Sequence, residues 1–363
     1  MSRFAIVGCA FGWIFLLNAP RVWAEDDAHT TTLVNQLQDS SDPAGSSVAF
    51  VELRQTLRIL SGDVLATVQA RLYAAMWISD DAQAIRRTAL VLAASPSEQA
   101  VVVLVQRLDQ SPAPAIAKAV CEGIHAFADK RPTFSPATTA LALERLETIA
   151  RNGRLPGPVV DSAVMAMATF GSDGFRELMK LESDRSTPNK IRNVLYTAMG
   201  ETDDPRALAV LREVASDASV TEGRRIQATY SLGQMFSRAA VAGRPIDAAE
   251  RTACVDGLKR CLSAAESDRV FAASLMAVSH MVNLEQDSDL QQAVFAALGS
   301  ASEARREAGL EVLFQQDEPV ASAVFSRIRE IAESDADPNL RCAATAVLDK
   351  QEAIQATPLS DAK

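Results

Sequence analysis

Eight short segments along this 363-residue chain repeat one chemical pattern, and that recurrence limits the fold more than any other feature. Leu340 to Leu348 reads LRCAATAVL, Ile191 to Met199 reads IRNVLYTAM, and Arg224 to Leu232 reads RRIQATYSL. A central small or apolar residue falls at Ala89, Val120, Ala163, Leu195, Ala228, Ala272, Ala308 and Ala344, with gaps of 31, 43, 32, 33, 44, 36 and 36. Four residues after each stands Ala93, Ile124, Met167, Met199, Leu232, Met276, Val312 or Leu348. That i, i+4 spacing places each anchor on the inward stripe of a helix. Aromatic residues make up only 5% of the chain, so alanine and leucine must fill the core, which suits close helix packing better than a sheet.

Between anchors runs a second helical pattern, clearest in DPRALAVLREVA, where Ala207, Val210, Leu211 and Val214 follow Asp204-Pro205. Each unit is therefore a helix pair. Start signals precede the pairs: Ser95-Pro96-Ser97-Glu98 reads as a capping box, and Asp247-Ala248-Ala249-Glu250 sets acids at the same offsets. Ser135-Pro136, Thr187-Pro188 and Asp337-Pro338 repeat the signal. Val101-Val102-Val103 has the composition of a strand, but it follows the capping box in a first-helix slot and is assigned to a helix.

This pattern resembles the HEAT repeat family and its HEAT-like relatives over roughly residues 64 to 350. The features carrying the resemblance are Asp204-Pro205 and Asp337-Pro338, arginines in the second helices, and the endings Ala198-Met199-Gly200 and Ser231-Leu232-Gly233. The second and third units lack the arginine. The resemblance implies an all-α superhelix, a solenoid of about eight HEAT-like helix pairs with convex first helices and concave second helices. Neither helix of such a pair can bury its apolar face alone, so neighbours must stack. Val48 to Leu60 is expected to form an N-terminal capping helix. The resemblance also implies that Arg86, Arg192, Arg225, Arg269, Arg305 and Arg341, each three residues before an anchor, join loop acids such as Asp81, Asp217 and Asp337 in an inter-repeat ladder. Read without the resemblance, the same arginines could form an anion-binding stripe.

Outside the array, Met1-Ser2-Arg3 is a basic start, Phe4 to Leu17 is an apolar run of fourteen residues, and Val22-Trp23-Ala24 offers a cleavage site. Residues 1–24 read as a secretory signal peptide cut before Glu25, since the run is short for a membrane span of roughly 20 residues. Residues 25–46 then form a flexible leader, 47–350 the solenoid and 351–363 a flexible tail. The expected location is extracytoplasmic, periplasmic or secreted, with no stable membrane insertion after cleavage.

Losing Arg3 and Arg21 takes the formal charge from −10 to −12. An acidic molecule without a cluster of lysines and arginines lacks the counter-charge that nucleic acid requires, so no nucleic-acid partner is expected. Of the four cysteines beyond residue 24, Cys254 and Cys261 are seven apart in one helix, roughly 10 Å along its axis. A bridge tolerates only about 7 Å between Cα atoms. All four are read as buried thiols acting as small apolar residues.

Catalytic chemistry has few residues to use. His29, His125 and His280 are the only histidines, and His125 and His280 belong to units two and six. Asp335 to Asn339 imitates a calcium loop, but Leu340 and Ala346 stand where the glycine and the bidentate acid belong. No cofactor, metal or catalytic residue is assigned.

The period stretches twice, at Asp129 to Pro136 (DKRPTFSP) and at Ser237 to Asp247 (SRAAVAGRPID). Insertions in repeat arrays often decorate a binding face, although long loops also tolerate insertion at small entropic cost. The candidate partner-binding residues are Lys130, Arg131, Phe134, Arg238 and Arg244. The leading functional expectation is a non-enzymatic scaffold that binds a protein through its concave face or these loops. The alternatives are an enzyme accessory, since the resemblance extends to HEAT-like proteins associated with bilin lyases, or a dependent subunit of a cell-envelope complex.

Overall fold

The computed structural model describes residues 27–110, 113–130, 133–263, 267–317 and 319–356. The residues expected as a signal peptide (1–24), Arg131 and the last seven residues of the expected tail lie outside the described residues. The described chain is helical, with no strand, and divides into two compact units, Met1–Ile191 and Arg192–Lys363.

The first unit holds α1 (Asp27–Gln38), α2 (Pro43–Ile59), α3 (Gly62–Ile78), α4 (Ala82–Leu92), α5 (Glu98–Gln110), α6 (Pro114–His125), α7 (Pro136–Arg151), α8 (Gly157–Met167) and α9 (Gly171–Ser183). Helix α10 (Asn189–Glu201) begins at its end and continues into the second unit. There follow α11 (Arg206–Ser216), α12 (Glu222–Val241), α13 (Ala248–Ser263), α14 (Asp268–Ser279), α15 (Ser288–Leu298), α16 (Glu303–Gln315), α17 (Ser322–Ser334) and α18 (Pro338–Ala356).

Contacts follow the order of a stacked array within each unit. In the first, α2, α4, α6 and α8 pack in sequence as a row of second helices, and α1, α3, α5, α7 and α9 form the row of first helices. In the second, α12, α14, α16 and α18 make the second-helix row, while α11, α13, α15 and α17 form the other. Each unit is a stack of HEAT-like helix pairs. All eight anchors lie in second helices and are buried, from 0% exposure at Ala89 and Ala228 to 8% at Ala272. Ile124, Met167, Met199 and Leu232, four residues after their anchors, are also fully buried. Burial of side chains this size stabilises by about 1.5–3 kcal/mol each.

Caps explain where the helices start. Asp81 accepts from the Gln83 and Ala84 amides at α4, Ser135 from Thr138 at α7, and Ser267 from Val270 at α14. Asp247 accepts from Ala249 at 3.0 Å and Glu250 at 3.1 Å, as its spacing predicted. The capping box at Ser95 is displaced: α5 opens at Glu98, and it is the Ser97 hydroxyl that accepts from Ala100. The Ser95 carbonyl instead receives the Gln69 amide at 2.9 Å. The valine run is helical, with Val101 and Val103 buried in α5.

Residues 25–46, expected as a flexible leader, contain α1 and the opening of α2. Leu33, Val34 and Leu37 make a short apolar stripe at i, i+1 and i+4, and all three are buried. Helices α2, α3 and α4 cover it, so the expected capping helix, which is α2, has a companion. The expected tail also begins late. Helix α18 runs past residue 351 to Ala356, held by Gln351, which is fully buried and accepts from the Val320 amide at 3.0 Å.

Gly200 and Gly233, read in sequence as helix endings, lie inside α10 and α12. Their role is close approach: a Cβ on Gly200 would meet the Ser231 Cβ at 2.9 Å, and one on Gly233 the Ala277 Cα at 3.1 Å.

Candidate functional site

The second long period is mostly helix. Helix α12 continues through Ser237 to Val241 and stops at Gly243, whose φ of 62° only glycine adopts freely. The Gly243 amide donates to Ala240 O and the Arg244 amide to Ala239 O, a left-handed helix stop. The extra turns carry Arg238 to the Gly200 carbonyl and Arg244 to the Asp203 carboxylate. Arg244 and Asp203 stand over a cleft of ≈ 430 Å³ walled by Leu208, Met235 and Ile246. Asp203 itself has φ 56°, an uncommon conformation for a residue with a side chain. Both candidate arginines of this loop are therefore tied to their own unit.

At the other long period, Lys130 ends a short 3₁₀ turn and is exposed. Phe134 is half-buried, its ring tilted 48° against Phe170 with centroids 5.6 Å apart. The two loops belong to different units.

Among the described residues, five of the six ladder arginines have partners and one has none. Arg86 Nε meets Glu122 Oε2 at 2.8 Å, joining α4 to α6. Arg305 Nε meets Asp268 Oδ1 at 2.6 Å, joining the start of α16 to the start of α14, and its guanidinium lies 4.4 Å from the Phe271 ring centroid. Buried Arg225 donates to the Ala215 carbonyl at 3.2 Å and to Cys261 Sγ at 3.7 Å. Arg341 donates to the Asp335 carbonyl at 2.6 Å, and Arg192 is half-buried and engaged. The acids expected as partners serve their own turns: Asp81 caps α4, Asp217 accepts from the Ser219 amide and Asp337 from the Asn339 amide. A carboxylate at a helix start reaches nearby amides without ordering a long side chain, so local capping competes well against the distant arginine.

Sequence reasoning missed Arg87 and Arg306, one place later in the pattern. Arg87 donates to the Ser46 hydroxyl at 2.8 Å, tying α4 back to α2. Arg306 holds Asp335 from two sides, Nε 2.7 Å from Oδ2 and Nη2 3.1 Å from Oδ1. The Asp335 side chain is only 6% exposed. Burial alone would raise its pKa, but the Asp337 amide and the Arg306 guanidinium reverse this and hold it below the usual carboxylate range.

Arg269 is the exception. It is exposed and meets no partner among the described residues. It stands at the mouth of a groove of ≈ 350 Å³ on the second-helix row of the second unit. Helix α12 contributes Ile226 and Tyr230, α14 contributes Arg269, Ala272 and Met276, and α16 contributes Ala304, Glu307, Ala308 and Glu311. The floor is alanine, so a chain laid along it approaches the helix backbones closely. Tyr230 is 38% exposed, and no hydrogen bond engages its hydroxyl among the described residues. Glu307 and Glu311 are exposed four residues apart on one face of α16; among the described residues Glu307 meets no cation, and Glu311 accepts a hydrogen bond from the Gln315 amide at 3.0 Å. Two like charges at that spacing cost a helix a few tenths of a kcal/mol.

His280, just past α14, is exposed as a residue, yet partial burial of its ring pushes its pKa down while the Glu311 charge opposes the shift. His29 lies 3.5 Å from Glu52. Among the described residues no group of three or more histidine, cysteine or acidic side chains is placed to hold a metal ion. Burial pushes the Cys121 and Cys254 thiols up to about 12, and Cys261 is buried as well. Cys342 departs from the expectation and is exposed, because it follows Arg341 on the outward side of α18, two residues before the buried anchor Ala344. Among the described residues no helix is long and apolar enough to cross a membrane.

No family model matches the chain, and no curated protein matches it. Among solved structures it is similar to human deoxyhypusine hydroxylase in complex with glycerol, at 17% identity over 92% of this chain and 98% of that one, with a TM-score of 0.32. It is also similar to Kap95p in a complex with RanGDP, at 12% identity over 90% of this chain and 47% of that one (TM-score 0.49). A third likeness is to Kap121p bound to Ste12p, at 13% identity over 88% and 37% (TM-score 0.42). The chain spans less than half the length of these two proteins. At such scores the likenesses add nothing to an architecture already evident from its own helix contacts.

Proposed function

We propose that this protein is an exported, non-enzymatic helical-repeat scaffold that binds a segment of another protein in the alanine-floored groove formed by α12, α14 and α16. One observation carries this reading. The arginines at the equivalent place in other pairs are engaged within the protein, whereas at this groove Arg269, Glu307 and the Tyr230 hydroxyl meet no partner among the described residues. An open trough with a flat apolar floor and polar rims suits a polypeptide better than a small molecule that must be enclosed for turnover. The basic, apolar start of the sequence supports export.

The test places a photo-crosslinking residue in the groove by Tyr230→p-benzoylphenylalanine, in cells that contain the native partner. Irradiation is expected to yield a discrete protein adduct, and Ala304→Trp, which fills the half-exposed rim without touching the core, is expected to abolish it. No adduct, or an adduct indifferent to Ala304→Trp, would remove the groove from the function.

A further inference from the structure

The charges at the groove are separated along its length, and this separation specifies its ligand. Arg269 is the second residue of α14 and Ala304 the second residue of α16. The Arg305–Asp268 ion pair fixes the starts of the two helices side by side, so both run the same way from the Arg269 end. Glu307 and Glu311 lie further down α16. From the level of Ala304 to that of Glu311 is seven residues, about 10 Å of helix. An extended chain rises about 3.3 Å per residue, so about three residues span that distance.

We infer that the groove takes an extended segment of a partner protein bearing one acidic and one basic residue about three positions apart, with the acid against Arg269, the base between Glu307 and Glu311, and small residues over the alanine floor. This rests on the proposed function and names the partner's chemistry. A basic side chain relieves the repulsion between the two glutamates, which no cation among the described residues does. The guanidinium of Arg269 matches a carboxylate in a two-point contact. Tyr230 and Met276 supply an apolar wall for the methylene stem of the basic residue. A segment of uniform charge satisfies one end of the groove and is repelled at the other.

The test uses the chain lacking residues 1–24 and fluorescent nonapeptides of alanine and serine carrying Asp-Ala-Ala-Lys, Asp-Ala-Ala-Asp, Lys-Ala-Ala-Lys or Ser-Ala-Ala-Ser at the centre, read by fluorescence anisotropy at low salt. The mixed-charge peptide is expected to bind about tenfold more tightly than each of the others, and its advantage should fade as salt screens the exposed charges. Arg269→Glu is expected to transfer the preference to the Lys-Ala-Ala-Lys peptide, with an unchanged melting temperature confirming that the variant folds. Absence of binding by the mixed peptide at millimolar concentration, equal binding of the serine peptide, or an Arg269→Glu variant with the original preference would each overturn the inference. A Tyr230 adduct sensitive to Ala304→Trp alongside peptides that show no charge preference would retain the scaffold reading and reject the charge pattern. Loss of the adduct as well would reject both.

Discussion

At the scale of single residues, the stack is set by side chains too small to separate the helices. Gly123 of α6 lies against Ala89 of α4, and a Cβ added there would stand 2.4 Å from the Ala89 Cβ. In an isolated helix, glycine to alanine gains about 1 kcal/mol. Here the methyl group cannot fit without moving a helix, and overpacking a core costs about 1–3 kcal/mol. Gly123→Ala is therefore expected to destabilise the protein in urea unfolding. In an Ala89→Gly background the nearest remaining atoms are the Leu104 Cδ2 at 3.5 Å and the residue 89 Cα at 3.8 Å, both ordinary contacts. The same substitution should then stabilise, and this change of sign separates close packing from any general dislike of alanine at position 123. A loss of equal size in both backgrounds would show that the two residues do not limit each other.

At the scale of elements, what was legible in the sequence is what depends on periodicity. Ala228, Ala272 and Ala308 recur at a fixed phase because each must face the next second helix, and that requirement shapes composition locally. Whole-pair geometry was not legible. Helix α1 was missed because its three threonines and single short stripe look like a polar leader; only α2, α3 and α4, which are distant in sequence or themselves part of the array, make Leu33 and Leu37 a core. The extension of α12 was read as an insertion because Ser237 to Val241 carries no stripe of its own. At the groove, the arginine pattern singled out Arg269 with five others, but nothing in the sequence distinguishes an engaged arginine from a free one. The same blindness hid the Arg306–Asp335 link between α16 and the turn before α18. Because the pKa of Asp335 is lowered by folding, it contributes stability that is complete above the ordinary aspartate value of about 3.9 and is lost as pH falls through the lower folded value. Asp335→Asn is expected to cost about 1–3 kcal/mol at neutral pH, and the gap from the parent chain should narrow as urea unfolding is repeated below about pH 4. A gap that stays constant down to pH 2 would mean that the charge of Asp335 does not hold this turn.

At the scale of the whole molecule, stacked pairs depend on their neighbours, so the ends of the described chain show how much sequence the array needs. Helix α1 opens at Asp27, and its buried apolar residues, Leu33, Val34 and Leu37, begin about two turns later. A cut between Ala24 and Glu25 leaves two residues ahead of α1 and removes none of these contacts, whereas a cut inside α1 would strip the cover from α2, α3 and α4. The cleavage signal and the first core residues are thus compatible. When the full sequence is produced in an export-competent cell, the protein recovered outside the cytoplasm is expected to begin Glu25-Asp26-Asp27 on N-terminal sequencing. A chain produced from Glu25 onward should melt at the same temperature as the exported one. Recovery of the protein only inside the cell with Met1 intact would refute export, and a mature end beyond Asp27 would mean that the first unit stands without the whole of α1.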